Sequence, residues 1–302
     1  MGVCGVVNLS HGGWEILSTS EHTQHDLSAT YDVLEHFGEN DLCLADRAYN
    51  SYEFMCLLKA QGSGSLMRLH QARKRSLGWK QGIKLGKNDR LYTWKKPLQQ
   101  SPGSKLTEEE WILLPETMEV RTTRFKYQKH DGKTEWMYLT STLLDNHTYP
   151  YQELCKRYYD RWVIEVKFRD IKTMLEMDFI RAKTPELAEK TVLILQLCYN
   201  MLYELRQAHH IENNRISFKH CIDQVLSQRV NYKGHHNHRY KREELYEKLL
   251  LLLSEELLII RKGRHGPRAR KRRPKNYQLL TQPRHQFEEI QHRNSHKKTA
   301  YR

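Results

Sequence analysis

The order of apolar and polar positions in the first 72 residues predicts a sheet flanked by helices. The predicted elements are strands at 2–10 and 14–20, a helix at 25–38, a strand that begins at 41 and ends at Asp46-Arg47, a helix at 51–62 and a strand at 63–70. The turn HGG joins the first two strands, and Gly38 ends the first helix. This series predicts an α/β layer in which the strand that ends at Asp46 is central.

The pattern changes between residues 73 and 148. The stretches GWKQGIKL, RLYTWKK, EVRTTRFKYQ and TEWMYLTSTLL alternate in polarity and are separated by Gly, Pro, Asn and Asp, which predicts a β-rich insertion. Helical patterns resume at 158–172, 185–208 and 241–260. We therefore divide the chain into a first part of a core (1–72), the insertion (73–148), the rest of the core (149–207), a helical C-terminal region (208–260) and a tail (261–302).

The helical stretch YYDRWVIEVKFRDIK carries a stripe of polar side chains beside an apolar stripe. At about 100° per residue, four polar residues lie within roughly 60° of one another. They are Tyr158, Arg161, Glu165 and Lys172. The neighbouring stripe is formed by Ile164, Phe168, Ile171 and Leu175. A carboxylate among cations at the margin of a buried face is held in a fixed position, although Arg161 and Glu165 are also the ordinary (i, i+4) pair of a solvated helix.

Asp46 is the second candidate carboxylate, because the carboxyl ends of strands are where α/β folds place ligand groups. Capping of the next helix or turn is the alternative role for Asp46. Together with Glu165, it supplies the hard oxygen atoms that Mg²⁺ prefers. Paired metal ions held in this way activate a nucleophile and stabilise the leaving oxygen in phosphodiester cleavage.

The excess of positive charge is concentrated at the C-terminal end. Residues 261–302 hold fourteen Lys and Arg against two Glu, so this tail carries +12 of the formal net charge of +14. It includes Arg270, Lys271, Arg272 and Arg273. A basic run of this kind is either a solvated segment or a partner for nucleic-acid phosphates.

The cysteines and apolar runs favour a protein of the reducing cytoplasm. Cys4, Cys43, Cys56 and Cys198 lie in apolar runs, as buried free thiols do, and no pair has metal-ligand spacing. The longest apolar run, LLLLL at 249–253, is too short to span a bilayer, and no signal peptide is recognisable. HHNH at 235–238 is a weak candidate for a metal site, with a polar loop as the default.

The spacing Tyr158-x2-Arg161-x3-Glu165-x6-Lys172 matches the signature of one group of insertion-sequence transposases, and LADRAYNSYEF resembles that group's second-Asp segment. The chain thus resembles the DDE cut-and-paste enzymes, from about residue 2 to 207. The resemblance implies an α/β RNase H-like mixed sheet with helices, interrupted by the β-rich insertion and followed by the helical region and the basic tail. It implies Asp46 and Glu165 as catalytic ligands of Mg²⁺, or of Mn²⁺ as a substitute.

The resemblance also implies partners and a reaction. Tyr158, Arg161 and Lys172 would contact DNA phosphates. The implied partners are double-stranded DNA, as element ends and target, and a second copy of the chain in a homodimer on that DNA. The expected reaction is metal-dependent strand cleavage followed by strand transfer, in a bacterial cytoplasm close to the nucleoid and away from membranes.

The sequence departs from the group in one respect. No DGT-like or DGS-like segment with a first Asp precedes residues 2–10, which correspond to the second strand of the fold. We therefore expect a chain shortened at its N-terminus, with Asp26 and Asp32 as poor substitutes. The alternative function is a non-catalytic DNA-binding remnant that interferes with a full-length enzyme.

Other residues are weaker candidates for DNA contacts. Arg68, Arg73, Lys74 and Arg75 are candidates to line a DNA groove, with a solvated loop as the alternative. Trp79 and Trp94 lie near Lys in the insertion, where an aromatic ring either stacks on an unpaired base or packs on the sheet.

Overall fold

A computed structural model of the chain describes residues 2–20, 27–128, 134–208, 216–231, 239–255 and 257–258. Residues up to Leu257 form one unit, and those from Leu258 onward form a second. None of the described helices combines the length and the apolar character needed to cross a bilayer.

Eight strands in the described residues form two sheets. The strands are β1 (Gly2–Val7), β2 (Trp14–Ser20), β3 (Leu42–Ala45), β4 (Gly64–Arg68), β5 (Ile83–Gly86), β6 (Asp89–Lys95), β7 (Thr117–Gln128) and β8 (Thr134–Ser141). β1 and β2 form an antiparallel hairpin, and the other six form a mixed sheet in the order β3-β4-β8-β7-β6-β5. β3 and β4 are parallel, and the remaining neighbours are antiparallel.

The α-helices cover both faces of the larger sheet and continue beyond it. They are α1 (Ser28–Tyr31), α2 (Tyr52–Ala60), α3 (Gln71–Ser76), α4 (Glu108–Leu113), α5 (Tyr151–Asp160), α6 (Trp162–Arg169), α7 (Pro185–Gln207), α8 (Phe218–Asn231) and α9 (Arg239–Glu255). Ser51 caps α2 by accepting a hydrogen bond from the Phe54 amide, and Thr184 caps α7 in the same way before Pro185. The mixed α/β character expected from the sequence is confirmed.

The prediction that β3 is central is wrong for the described residues. β3 lies at one edge of the six-stranded sheet, because β1 and β2 pair with each other and not with it. The insertion, in turn, is continuous with the core, since β8 pairs directly with β4. The domain boundaries drawn from the sequence stay a prediction.

Within residues 27–38, the described part of the helix predicted at 25–38, two short helical segments take the place of one continuous helix. α1 is followed by a 3₁₀ turn at Leu34–His36. The Thr30 hydroxyl donates to the Leu27 carbonyl at 2.6 Å, which competes with the main-chain bonds of a longer helix. The long helices α7 and α9 agree with the sequence pattern.

Alternation along β3 and β4 divides the core of the larger sheet into two layers. Leu42 and Leu44 of β3 and Leu66 of β4 face α5, where they pack with Leu154 and Tyr158. The intervening Cys43 and Met67 face the opposite side, where they pack with residues of α2. A third cluster joins the β1–β2 hairpin to α6 and α7 and to the C-terminal helices.

The free thiols differ in exposure. Cys43, Cys56, Cys155 and Cys221 are buried, and Cys4 is half-buried. The expectation that Cys198 is buried is wrong, because it lies on the outward face of α7.

Candidate metal and DNA site

Asp46 directly follows β3 and lies on the face of the sheet that α5 covers. Leu42, Leu44 and Asp46 share that face by the two-residue period of the strand. The Asp46 carboxylate accepts a hydrogen bond from the Arg47 amide at 2.8 Å, which starts a 3₁₀ turn at Arg47–Tyr49. Asp46 therefore caps a turn with one oxygen while it stands at the carboxyl end of a strand.

Arg68 is the neighbour of Asp46 on the adjacent strand. The parallel pairing sets Leu44 against Leu66 and Ala45 against Met67, so the same register carries Asp46 to Arg68. Both residues thus project from the strand ends towards α5. The sequence placed them in separate segments, and the strand register brings them side by side.

Glu165 lies on the helical segment that packs over this edge of the sheet. α5 ends at Asp160 and α6 begins at Trp162, with Arg161 in a turn between them. The guanidinium of Arg161 lies 2.8 Å from a carboxylate oxygen of Glu165, and the side chains are 20% and 44% exposed. The Nε atom of Arg161 is buried and has no hydrogen-bond partner in the described part of the chain.

Tyr158 connects the strand ends with this helix. Its ring is buried, and the Arg161 guanidinium lies 5.7 Å from the ring centre. Burial raises the pKa of Tyr158 to about 12, the charge of Asp46 acts in the same direction, and Arg161 and Arg68 oppose it. These electrostatic effects require that Asp46, Arg68 and Arg161 all lie near the Tyr158 hydroxyl.

Arg161 is therefore shared between the two carboxylates. Burial lowers its pKa, but Tyr158, the hydrogen bond to Glu165 and the charge of Asp46 together raise it above the ordinary value. A single guanidinium interacts favourably with carboxylates from a strand end and from a helix. The structure thus brings Asp46 and Glu165 into one neighbourhood.

Lys172 lies at the other end of the polar stripe, in a π-helical turn at Asp170–Met174. Its ammonium group lies 5.2 Å from the centre of the Phe168 ring. Wide turns of this kind inside helices are frequent at functional sites. The hydrogen-bonding pattern of the predicted single helix thus changes at Arg161 and again at Asp170.

Lys167 anchors this helix from its buried side and was not singled out by the sequence reasoning. Its ammonium group donates to the Gly12 carbonyl and lies 3.6 Å from the centre of the Tyr203 ring. Burial lowers the pKa of Lys167 to about 8, Arg206 acts in the same direction, and Asp170 opposes it. The signal in the sequence was a lysine within the apolar stripe, between Ile164 and Ile171.

The basic loop candidates lie on the other face of the sheet or on its rim. Arg73 stacks on Trp94 at 4.1 Å, and burial lowers its pKa. Lys74 donates to the Trp136 carbonyl at 3.2 Å, whereas Arg75 is exposed. Trp94 is buried against the sheet, and Trp79 packs against the Arg124 guanidinium at 4.1 Å.

Several predicted features lie outside the described residues. These are the tail residues Arg270, Lys271, Arg272 and Arg273, the HHNH segment and Asp26. Asp32 is described and pairs with Lys105 at 2.5 Å, away from the strand ends. Within the described ranges no three His, Cys, Asp or Glu side chains cluster as a metal site.

Comparison with known proteins shows the family to which the chain belongs. The family described as "Transposase DDE domain" matches residues 16–201. The chain is also similar to the transposase InsG for insertion sequence element IS4 of Escherichia coli (strain K12), with 27% identity over 267 residues. That alignment covers 86% of this chain and 56% of the relative, so the chain spans about half the length of the curated relative it matches.

Proposed function

Because the chain belongs to the transposase DDE domain family, whose members are enzymes, we propose that it performs metal-dependent cleavage and strand transfer of DNA during cut-and-paste transposition. The observation that carries this proposal is the shared position of Asp46 and Glu165 around Arg161. Both carboxylates, which come from separate segments, interact with the same guanidinium. A function that holds a cation between them would account for this placement.

Asp46 and Glu165 fit the donor set of a hard divalent cation, namely Mg²⁺ with Mn²⁺ as a substitute. When bound, such an ion supplies a polarised oxygen nucleophile and stabilises the leaving oxygen of a phosphodiester. The chain's own contribution is to hold the two carboxylates at the carboxyl end of β3 and at the start of α6. Tyr158, buried beside Arg161, would help to hold that guanidinium in place.

The cations around the carboxylates are placed to hold DNA phosphates. The Arg161 side chain is 20% exposed, so part of its guanidinium would be accessible to a phosphate oxygen. Arg68 adds a second positive charge at the strand ends, and Lys172 adds a third farther along the helix. Tyr158 contributes a neutral hydroxyl at physiological pH, because its pKa is raised.

A third carboxylate is expected from a further strand. β1 and β3 each pair on one side only in the described sheets, and Cys4 of β1 is close enough to Cys43 of β3 to raise its pKa, together with the larger effect of burial. We propose an RNase H-like core in which a strand that bears the first Asp pairs with the open sides of β1 and β3.

The partners of the reaction follow from the same proposal. Double-stranded DNA, as element ends and target, is the substrate, and the basic tail adds sequence-independent attraction to phosphates. Assembly as a homodimer on DNA and a place near the bacterial nucleoid stay predictions.

A second function is a non-catalytic DNA-binding protein that interferes with a longer enzyme. It is favoured by the incomplete ligand set around Asp46 and Glu165 in the described part of the chain. Both functions predict DNA binding, and they differ in cleavage.

The deciding experiment is a nicking assay on DNA that carries the element's ends. The chain is compared with a form to which the segment encoded upstream of Met1 has been added. We expect Mg²⁺-dependent cleavage by the extended form, lost in its Asp46→Asn and Glu165→Gln variants, with circular dichroism unchanged. DNA binding without cleavage by the extended form would support the second function instead.

A further inference from the structure

Arg121 is a fully buried charged side chain near the joint between the insertion and α5, the helix that precedes the Glu165-bearing α6. It lies on β7, and its exposed fraction is 0%. Its guanidinium forms a two-pronged pair with Asp89 of β6, with Nε–Oδ1 and Nη2–Oδ2 distances of 2.9 and 2.5 Å. Asp89 is itself buried, so this ion pair is shielded from water.

The remaining arm of Arg121 holds the segment that leads into α5. Its Nη1 donates to the Tyr149 carbonyl at 2.6 Å and to the Asp145 carbonyl at 3.2 Å, with the Leu143 carbonyl at 3.5 Å. This segment contains no helix or strand, so side chains must satisfy its inward-pointing carbonyls. One planar guanidinium thus fixes three points of the connection between β8 and α5.

The segment is further shaped by its own contacts. The Asp145 carboxylate accepts bonds from the His147 amide at 2.8 Å and from the Thr148 hydroxyl at 2.5 Å. The Tyr149 amide donates a hydrogen bond to the Asp145 carbonyl at 3.1 Å. The result is a closed turn whose position relative to the sheet is set by Arg121.

What this turn positions is the polar stripe. α5 starts at Tyr151, immediately after the turn, and continues to Tyr158 and Arg161. β7, which carries Arg121, belongs to the same sheet as β3, which ends at Asp46. The contact of Arg121 with the turn therefore fixes the start of α5 relative to the sheet in which β3 ends at Asp46. α5 leads in turn into α6, which bears Glu165.

We propose that Arg121, together with Asp89, is a positioning residue that sets the distance between the Glu165 helix and the strand end at Asp46. The effect of Arg121 on catalysis rests on the proposed function. Its effect on the distance between the Glu165 helix and Asp46 does not, because that distance can be measured whether or not the protein cuts DNA. Misplacement by about 1 Å can cost on the order of 10²-fold in rate, so a small movement of α5 matters.

Arg121→Lys tests the proposal, because lysine keeps the charge opposite Asp89 but lacks the fork that reaches the three carbonyls. The matched control is Arg90→Lys, since Arg90 also donates to backbone carbonyls, but to those of Gly86 and Asp89 in its own hairpin. A second variant, Arg121→Met with Asp89→Leu, replaces the buried pair by apolar side chains, an exchange that is often neutral for stability.

The first readout is the distance between spin labels at Lys59 on α2 and Lys156 on α5, both exposed, measured by pulsed electron resonance. Cys4 and Cys198 are replaced by Ser in all proteins to leave the labels unique among accessible thiols. We expect a single narrow distance in wild type and in Arg90→Lys, and a broadened or shifted one in both Arg121 variants. A merely structural role would lower the melting temperature and leave this distance unchanged in the folded protein, which would overturn the proposal.

The second readout is cleavage by the extended form. We expect Arg121→Lys to lower kcat by about tenfold or more while KM for DNA stays the same. If the extended form without substitutions does not cleave DNA, the proposed function is refuted, but the result on the distance between the labels still stands. An unchanged kcat together with a changed distance would overturn the link between Arg121 and catalysis.

Discussion

Arg161 lies 2.8 Å from Glu165, and the charge of Asp46 also raises the pKa of Arg161, so one guanidinium interacts favourably with both carboxylates of the candidate site. Without a metal, this contact relieves the repulsion between them. A divalent cation must compete with Arg161 for the same oxygen atoms, and a DNA phosphate must compete with the carboxylates for Arg161. The arrangement therefore couples metal binding with DNA binding.

Arg161→Met is predicted to have opposite effects on these two ligands. Removal of a positive charge beside the carboxylates should strengthen binding of Mn²⁺ in the absence of DNA. Loss of a charge-assisted hydrogen bond should weaken DNA binding by about tenfold or more. Calorimetric titration with Mn²⁺ and a DNA-binding assay measure the two effects. The control is Arg157→Met, which removes an exposed charge on α5 that pairs with Asp160. A parallel loss of both affinities would contradict the coupling.

Glu53→Gln is predicted to stabilise the protein at neutral pH. Glu53 is fully buried on α2, beside Ser101 and the hydroxyls of Tyr31 and Ser104, which bond to each other at 3.1 Å, and hydrogen bonds from these groups oppose only part of the effect of burial. Burial raises the pKa of Glu53, so the folded protein holds a proton that the unfolded chain releases. Its contribution to stability falls as pH rises from the unfolded pKa of about 4.3 to the higher folded value.

The gain from Glu53→Gln should thus be absent below pH 4 and reach about 1–3 kcal/mol above the folded pKa. Urea unfolding at several pH values measures it. Glu35→Gln, which alters a side chain that is 82% exposed, is the control. A gain that does not depend on pH would show that the charge of Glu53 is not the cause.

Deletion of residues 261–302 is predicted to flatten the salt dependence of non-specific DNA binding. Nine Lys and Arg fall within residues 261–275, and each phosphate they neutralise contributes about −0.9 to the slope of log affinity against log salt. Replacement of Arg270, Lys271, Arg272 and Arg273 by Gln should give part of the same change. If the slope stays as it is, the main DNA-binding surface lies elsewhere.

The chain alone is predicted to be less stable than the extended form. If a strand belongs between β1 and β3, its absence leaves inner backbone groups without partners, at about 1–3 kcal/mol for each buried group. A few such groups offset much of the roughly 5–15 kcal/mol that keeps a domain folded. Thermal melting of the two forms side by side should show a higher melting temperature for the extended one, and equal melting temperatures would exclude the missing strand.

The sequence predicted the elements that carry the site better than the contacts between them. Asp46 and Glu165 were identifiable because one follows an apolar strand and the other lies in a spaced polar stripe. The closeness of Asp46 to Arg68 depends on the register between β3 and β4. The local periodicity of the sequence does not determine that register.

Buried charged residues were harder to predict from the sequence than the helices and strands. Arg121 and Asp89 were not singled out in the sequence, since their pairing joins positions far apart along the chain. Cys198 was misplaced for a similar reason: an apolar run such as that of α7 has an outward face, and only packing against the β1–β2 hairpin decides which side is covered. The prediction of one continuous helix at 25–38 is wrong in the described part of that range, because the Thr30 side chain competes for main-chain acceptors.

The central claim is that Asp46 and Glu165 hold the same divalent ion, and Mn²⁺ binding measured by electron paramagnetic resonance tests it most directly. We expect Asp46→Asn and Glu165→Gln each to weaken binding, and the double variant to lose less than the two single losses combined, because the residues share one ion. Asp160→Asn, on the same helical segment, should bind like wild type. Wild-type affinity in Glu165→Gln, or losses that simply add as they do for independent sites, would contradict the account.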